Sequence, residues 1–135
     1  GEEILCGFAG IGAIPVILTR HLDVVVSAVE INEAAFEYMC QNLMLNKVEK
    51  KVKPFFGDIR KFEGKFDRVI MTPPIHTDYL DLTLDFLKPG GTVHYYTLSG
   101  REGTEIDFKN VEILEIRRCG KFAPGVYRVC VEFRA

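Results

Sequence analysis

Short apolar runs alternate with stretches of helical periodicity along most of the chain, and that alternation predicts strand-helix-strand units built into a parallel sheet. Ile4 to Cys6 reads as a buried strand and Gly7 to Gly12 as a glycine-rich turn. A helix then runs to about His21, with Pro15 in its first turn, where backbone N–H groups have no intrahelical partner. Val24 to Val29 is a β-branched strand ending at Glu30. Asn32 caps a second helix whose apolar face, Phe36, Met39, Cys40 and Leu43, follows i, i+3, i+4, i+7 spacing and which ends near Asn46. Val52 to Phe56 predicts a third strand stopped by Gly57-Asp58, and the stretch before Phe66 is too short for a full crossover helix. Phe66 to Met71 is a fourth strand that leaves through Thr72-Pro73-Pro74. A helix from about Thr77 to Leu87, burying Leu80, Leu84 and Leu87, is stopped by Lys88-Pro89-Gly90-Gly91, and Thr92 to Leu98 follows as a fifth strand.

The alternation then breaks. Ser99 to Asn110 is polar and too short for a long helix with its turns, whereas Val111 to Arg118 and Val126 to Arg134 read as an antiparallel pair joined by the turn-rich Cys119 to Gly125. The pattern describes one α/β domain over residues 1–135, and 47% hydrophobic with 27% charged residues is ordinary for a globular chain of that size. The longest uncharged apolar run, Ile4 to Leu18, is interrupted by Gly7, Gly10, Gly12 and Pro15 and is shorter than the roughly 18 to 20 residues of a membrane span. No transmembrane helix is expected.

Seventeen basic against nineteen acidic residues give a net charge of −2, so no broad basic footprint points to nucleic acid. A nucleic-acid partner requires a local patch or a segment outside this chain. Two patches exist: Lys47 to Arg68, with eight basic and four acidic residues, and Arg117, Arg118, Lys121, Arg128 and Arg134 near the end. Either serves as a phosphate contact or as a solvated face. Cys6, Cys40, Cys119 and Cys130 are far apart with no C-x-x-C spacing, which predicts no metal site and reduced thiols in a cytoplasmic setting. The chain opens Gly-Glu-Glu without an initiator Met or signal-like core and reads as an excised domain.

Candidate chemistry gathers at strand ends. Phe8-Ala9-Gly10-Ile11-Gly12, between a strand and a helix, lets a ligand approach the backbone against a helix N-terminus. A dinucleotide fingerprint would need Gly or Ala where the chain has Pro15. Glu30, ending the second strand, suits two ribose hydroxyls, and Asp58, just past the third, suits an adenine amino group. Gly57 lets the chain turn close to that base. Together the three features describe contacts around an adenosine; the alternative is that Glu30 and Asp58 are capping or loop carboxylates. Thr72-Pro73-Pro74 lies where an open α/β sheet places its substrate, and the prolines leave the preceding carbonyls free to accept hydrogen bonds. The alternative there is a rigid strand exit. His76 stands at the mouth of that crevice, as a proton acceptor or a solvated helix-start residue. His21 suits the negative end of the first helix, and His94 suits packing. Tyr95 and Tyr96 read as core, and Phe122 and Tyr127, displayed by a Pro-Gly turn, as stacking faces for an unstacked base.

Phe8-Ala9-Gly10-Ile11-Gly12, Val29-Glu30-Ile31-Asn32, Gly57-Asp58, the Pro-Pro exit, Leu87-Lys88-Pro89-Gly90-Gly91 and His94-Tyr95-Tyr96 resemble the class I S-adenosylmethionine-dependent methyltransferases. Asn46-Lys47-Val48, Arg68-Val69-Ile70-Met71 and Lys121-Phe122-Ala123-Pro124-Gly125-Val126-Tyr127 are similar, more narrowly, to the archaeal and eukaryotic tRNA guanine-37 N1-methyltransferases and their wybutosine-pathway relatives. The resemblance implies a Rossmann-like class I sheet of strand order 3-2-1-4-5-7-6, the last strand antiparallel and some crossover helices shortened. It implies S-adenosylmethionine as cofactor, with Phe8, Gly10 and Gly12 among the binding positions, the two glycines at the methionine end, Glu30 at the ribose and Asp58 at the adenine. Ile31 and Ile59 would sandwich the adenine ring. Thr72, Pro73 and Pro74 would be the catalytic motif, which in the family is Asn-Leu-Pro and helps hold the target guanine.

Two departures stand out. Thr72 replaces an amide that both donates and accepts, and Cys6 replaces an acid near the cofactor's amino group. The resemblance further implies that the general base and tRNA-gripping domains lie upstream of the glycine turn, in sequence this chain does not contain. The implied reaction is N1-methylation of guanosine 37 in tRNA. Aminocarboxypropyl transfer in wybutosine synthesis and a non-catalytic cofactor-binding module remain alternatives, whereas Pro15 disfavours an NAD-dependent oxidoreductase.

Overall fold

In a computed structural model, residues 1–100 and 107–135 are described, Gly100 by its backbone alone. The apolar runs become β1 (Glu3–Gly7), β2 (Val25–Glu30), β3 (Val52–Phe56), β4 (Phe66–Met71), β5 (Leu87–Gly100), β6 (Glu112–Ala123) and β7 (Val126–Arg134). They form one seven-stranded sheet in the order β3-β2-β1-β4-β5-β7-β6, the order the resemblance implies. Neighbours from β3 to β5 pair parallel, whereas β7 runs antiparallel to both β5 and β6. The reversal has a local cause. Ala123 pairs with Val126, so only Pro124 and Gly125 join β6 to β7, and a link that short connects antiparallel neighbours alone. Gly125 supplies the positive φ of 76° the turn requires.

Successive strand residues face opposite sides of the sheet. Leu5, Val69, Met71, Val93, Tyr95 and Phe133 enter one core with Ile59, Leu80 and Phe86. Ile4, Cys6, Val26, Ala28 and Ile70 enter the other with Met39 and Leu43. Two helices, α1 (Ala13–His21) and α2 (Glu33–Leu45), cover the second core. Asn32 starts α2 as expected, its side chain accepting from Ala35 N at 2.9 Å. Gly12 precedes α1 at φ 88°, and a Cβ there would lie 2.8 Å from Met39 Cγ of α2, so both conformation and packing require glycine.

The opposite face is covered more thinly. Between β3 and β4 there is only a 3-10 turn, Ile59–Lys61, and after β4 only the six-residue α3 (Leu80–Asp85). The helix expected over Thr77 to Leu87 is therefore shorter, and Lys88-Pro89-Gly90-Gly91 is not its terminator. Leu80 and Leu87 are buried, but Leu87 is buried as a strand residue paired with Phe66, while Leu84 is only partly buried. Phe66 N donates to Phe86 O at 2.8 Å, which draws the chain into the sheet before the helix can continue. Lys88 to Gly91 is then absorbed as an irregularity between the pairs Phe66–Leu87 and Arg68–Thr92. A similar correction applies at the end of the chain. Cys119 to Ala123, expected as a turn, continues β6, with register shifts at Arg118/Gly120 and Lys121/Ala123 absorbing the extra residues. Of the polar stretch Ser99 to Asn110, Phe108 packs against the first core, and 101–106 lie outside the described residues. Among the described residues no helix is long and apolar enough to cross a membrane.

Beside α1 lies a groove of about 670 Å³, lined by the apolar Ile14, Leu18 and Ile70, by Tyr96 and by the polar Glu2, Arg68 and His94. Arg68 Nε donates to Glu2 at 2.8 Å, and Arg68 Nη1 lies 2.6 Å from His94 Nε2, which must be unprotonated to accept. Burial first, and then the Arg68 charge, hold the His94 imidazole below its usual value, against the opposing pull of Glu132 and Glu2. The native state therefore keeps a neutral His94 while the unfolded chain takes up a proton near the ordinary histidine value of about 6.5. Stability should fall as pH drops below that value, until the lowered native value is passed. Thermal unfolding between about pH 7.5 and 5.5 checks this: the wild type should lose more melting temperature than His94→Gln, and parallel curves would refute it.

Candidate functional site

Three strand exits are tied together by the backbone: Ala9 N donates to Val29 O at 3.0 Å and Gly57 N to Glu30 O at 3.0 Å. Glu30 completes the tie. Its Oε1 accepts from Gly10 N at 2.7 Å and its Oε2 from Asn32 N at 2.8 Å, so one carboxylate fixes the glycine turn and the start of α2. Each oxygen keeps a lone pair for a further donor. A Cβ built on Gly10 or Gly57 meets nothing within 4 Å, so both face open space.

Asp58 caps the 3-10 turn, accepting from Arg60 N at 2.9 Å, and Arg60 closes on the same carboxylate through Nη2 at 2.6 Å and Nε at 3.1 Å. The Arg60 guanidinium above all, and then its backbone N–H, hold the Asp58 carboxyl down at about 2. Asp58 is thus an anion at any working pH. It shares a cavity of about 180 Å³ with Phe8, Ile31, Ile59, Pro74 and Tyr79. Ile59 is 4% exposed and belongs to the core as well, whereas Ile31 is 57% exposed. Gly10, Gly12 and Glu30 do not line this cavity; they build the turn next to Phe8. Apolar walls, one committed anion and two glycines open to solvent fit an adenosine.

A second cavity, of about 290 Å³, is walled by Thr72, Pro73, Pro74, Tyr96, Thr97 and Arg128. Pro74 lines both cavities. Thr72 Oγ1 donates to Phe8 O at 3.2 Å, which ties the exit of β4 to that of β1 and leaves the hydroxyl only its acceptor capacity. Behind the Pro-Pro exit, Tyr95 Oη accepts from Tyr79 N at 2.9 Å, and the Tyr79 ring stands edge-on to Phe8 at 4.9 Å. Burial pushes the Tyr95 phenol up to about 12, so it stays neutral.

The remaining sequence candidates divide. Cys6 is buried on the α1 side of β1, and burial pushes its thiol up to about 12, so the position offers no charge. His76 is exposed at φ 62° and lines neither cavity. Phe122 and Tyr127 are each covered by a guanidinium, of Arg128 and Arg118 respectively. Sequence reasoning missed Arg60, although an Asp-x-Arg spacing straight after a strand was there to be found. It also missed Tyr79 and Thr97, for which no local signal exists.

The model of the TRM5/TYW2 methyltransferase domain matches residues 1–120. The chain is 32% identical, over 99% of its length, to a tRNA (guanine(37)-N(1))-methyltransferase Trm5b of Pyrococcus abyssi, of which it spans 44%. It is 33% identical, over 97% of its length, to a tRNA(Phe) (4-demethylwyosine(37)-C(7)) aminocarboxypropyltransferase of Methanocaldococcus jannaschii, of which it spans 59%. The crystal structure of Methanocaldococcus jannaschii Trm5 in complex with adenosine superposes with a TM-score of 0.86 at 30% identity, over 99% of this chain and 43% of that one. The sheet order, the two cavities at the strand exits and a family match over most of the chain agree, and the chain belongs to the TRM5/TYW2 methyltransferase domain family.

Proposed function

We propose that the chain is the S-adenosylmethionine-binding catalytic domain of a tRNA transferase and that its reaction is N1-methylation of guanosine 37. The observation that carries this reading is Pro74, which lines both the cavity walled by Asp58 and Ile31 and the cavity walled by Thr72 and Thr97. When bound, S-adenosylmethionine supplies an electrophilic methyl on its sulfonium. Glu30 then accepts from ribose hydroxyls and Asp58 from the adenine amino group, Arg60 moving aside to share that carboxylate. Thr72 Oγ1, with its proton committed to Phe8 O, offers an acceptor to an N–H edge of the target purine. Pro73 and Pro74 stiffen the exit so that these acceptors stay in place, and rate comes chiefly from proximity. No carboxylate or imidazole borders the second cavity among the described residues, and burial pushes the Tyr96 phenol there up to about 12. The general base and the tRNA-gripping domains are the parts that the family resemblance puts upstream of the glycine turn. A cytoplasmic setting goes with this reading; all four cysteines are free thiols.

The 33% identity to an aminocarboxypropyltransferase supports a second reading, in which a different carbon of the same sulfonium faces the nucleophile. One assay separates the readings. The full-length protein is incubated with S-adenosylmethionine and tRNAs carrying guanosine, adenosine or 4-demethylwyosine at position 37, and the nucleosides are weighed after digestion. A methyl increment on guanosine 37 alone is expected. The larger increment on a wyosine precursor would move the chain to the second reading, and cofactor binding without turnover would make it a non-catalytic module.

A further inference from the structure

The distal end of the β6–β7 hairpin is charged in a way that neither cavity explains. From Arg118 to Arg128 the sequence holds three cations, Arg118, Lys121 and Arg128, and no carboxylate. The acids lie nearer the base of the hairpin, where Glu115 holds Arg117 at 2.8 Å and Glu112 holds Arg134 at 3.6 Å. The two distal arginines instead lie over rings, Arg118 at 4.0 Å from the centroid of Tyr127 and Arg128 at 5.4 Å from that of Phe122. Among the described residues neither has an ion-pair partner. A ring orients a guanidinium without neutralising it, so its N–H edge stays available to an anion.

The two pairs differ in where they point. Arg118 sits opposite Val129 in the ladder, on the side where Val129 and Tyr127 pack into the first core. Arg128 falls between Tyr127 and Val129 and so projects to the other side, where it walls the 290 Å³ cavity together with Thr72 and Pro74. A planar cation with no ion-pair partner among the described residues, in the wall of a cavity sized for a nucleobase, is placed for the phosphate attached to that base's own nucleotide.

We propose that Arg128, oriented by the Phe122 ring, binds an RNA phosphodiester and thereby seats the target nucleotide in the cavity formed by Thr72, Pro73 and Pro74. This rests on the reading that the cavity takes an RNA base. The test uses the purified full-length protein with a stem-loop RNA bearing the target guanosine, comparing wild type with Arg128→Gln, Arg128→Lys and Arg118→Gln. Binding is titrated across a salt series, S-adenosylmethionine affinity is measured separately, and product is weighed. Arg128→Gln should weaken RNA binding about tenfold and lower the salt slope by about one, with cofactor affinity unchanged. Arg128→Lys should restore the slope but only part of the affinity, because a point charge lacks the planar fork. Arg118→Gln, with the same chemistry on the other side, should change neither.

An unchanged slope in Arg128→Gln, or an equal loss in Arg118→Gln, overturns the proposal. If such a result accompanies normal product formation by the wild type, the functional reading survives it. Conversely, wild-type RNA binding that depends on Arg128 without any transferred group would sustain the proposal and sink the reaction assigned above. Absence of RNA binding by the wild type overturns both.

Discussion

A Glu30→Gln variant is expected to bind S-adenosylmethionine at least about a hundredfold more weakly than the wild type while unfolding at nearly the same temperature. The carboxylate accepts from Gly10 N and Asn32 N through different oxygens. Glutamine keeps the shape but has one acceptor, so its NH2 must face one of those two N–H groups, and the turn loses a contact that holds it against α2. The outward lone pairs that the proposed function offers to ribose hydroxyls are lost with it. Two charge-assisted hydrogen bonds contribute roughly 1.5 to 3 kcal/mol each, and about 3 kcal/mol corresponds to about a hundredfold in affinity. The fold is spared because both amides lie at solvent-accessible strand exits, where water replaces the lost acceptor. Calorimetric titration checks the affinity, and thermal unfolding checks the fold. Undiminished binding would mean that the ribose is held elsewhere and that Glu30 is only the tie between turn and helix.

Phe133→Ala should have the largest effect on stability, about 3 to 5 kcal/mol, the usual range for emptying a fully buried aromatic position. Phe133 is 0% exposed, sits opposite Val93 of β5 and Ile113 of β6, and packs its ring 5.5 Å from Phe108. It is therefore shared by three strands and by the chain segment that returns to β6. Little else can collapse into the space, because α3 and a single 3-10 turn are all the helical cover this face has among the described residues. Chemical denaturation should show the midpoint falling with the slope unchanged. A loss below about 1 kcal/mol would mean that neighbouring side chains refill the site. The position also bears on function, since Phe133 anchors the strand that carries Arg128 toward the second cavity.

Much of this architecture is legible locally. Val24 to Val29 and Phe66 to Met71 read as strands because β-branched and aromatic side chains suit a buried pleated surface. Asn32 reads as a helix start because its side chain can reach the N–H three residues on. The failures share a cause. Leu80, Leu84 and Leu87 satisfy helical spacing, yet Leu87 serves equally well as the first residue of a strand, and only its pairing with Phe66 decides between them. Cys119 to Ala123 contains Gly120 and so looks like a turn, but β7 is long enough to pair with it, and bulges absorb the mismatch. In both places a ladder formed with a distant segment overrode a local preference, as sheets do when the partner strand supplies hydrogen bonds that a turn would leave to water.

The candidate site divides along the same line. Gly10, Gly12, Glu30, Asp58 and the Pro-Pro exit are visible in sequence because each lies at or just past the end of a strand, and ligands gather at strand exits in an open α/β sheet. By itself the sequence determined the fold class and the family resemblance and supplied the candidate positions at the strand exits, since all three rest on short-range pattern. Only the tertiary structure decided that Arg60 closes on Asp58, that Thr72 spends its proton on Phe8 and that Pro74 borders two cavities at once. It also decided that Arg128, distant along the chain, walls the same cavity as Thr72. Such contacts depend on strand order and register, which are set by burial summed over the whole sheet and leave no mark on the residues beside them.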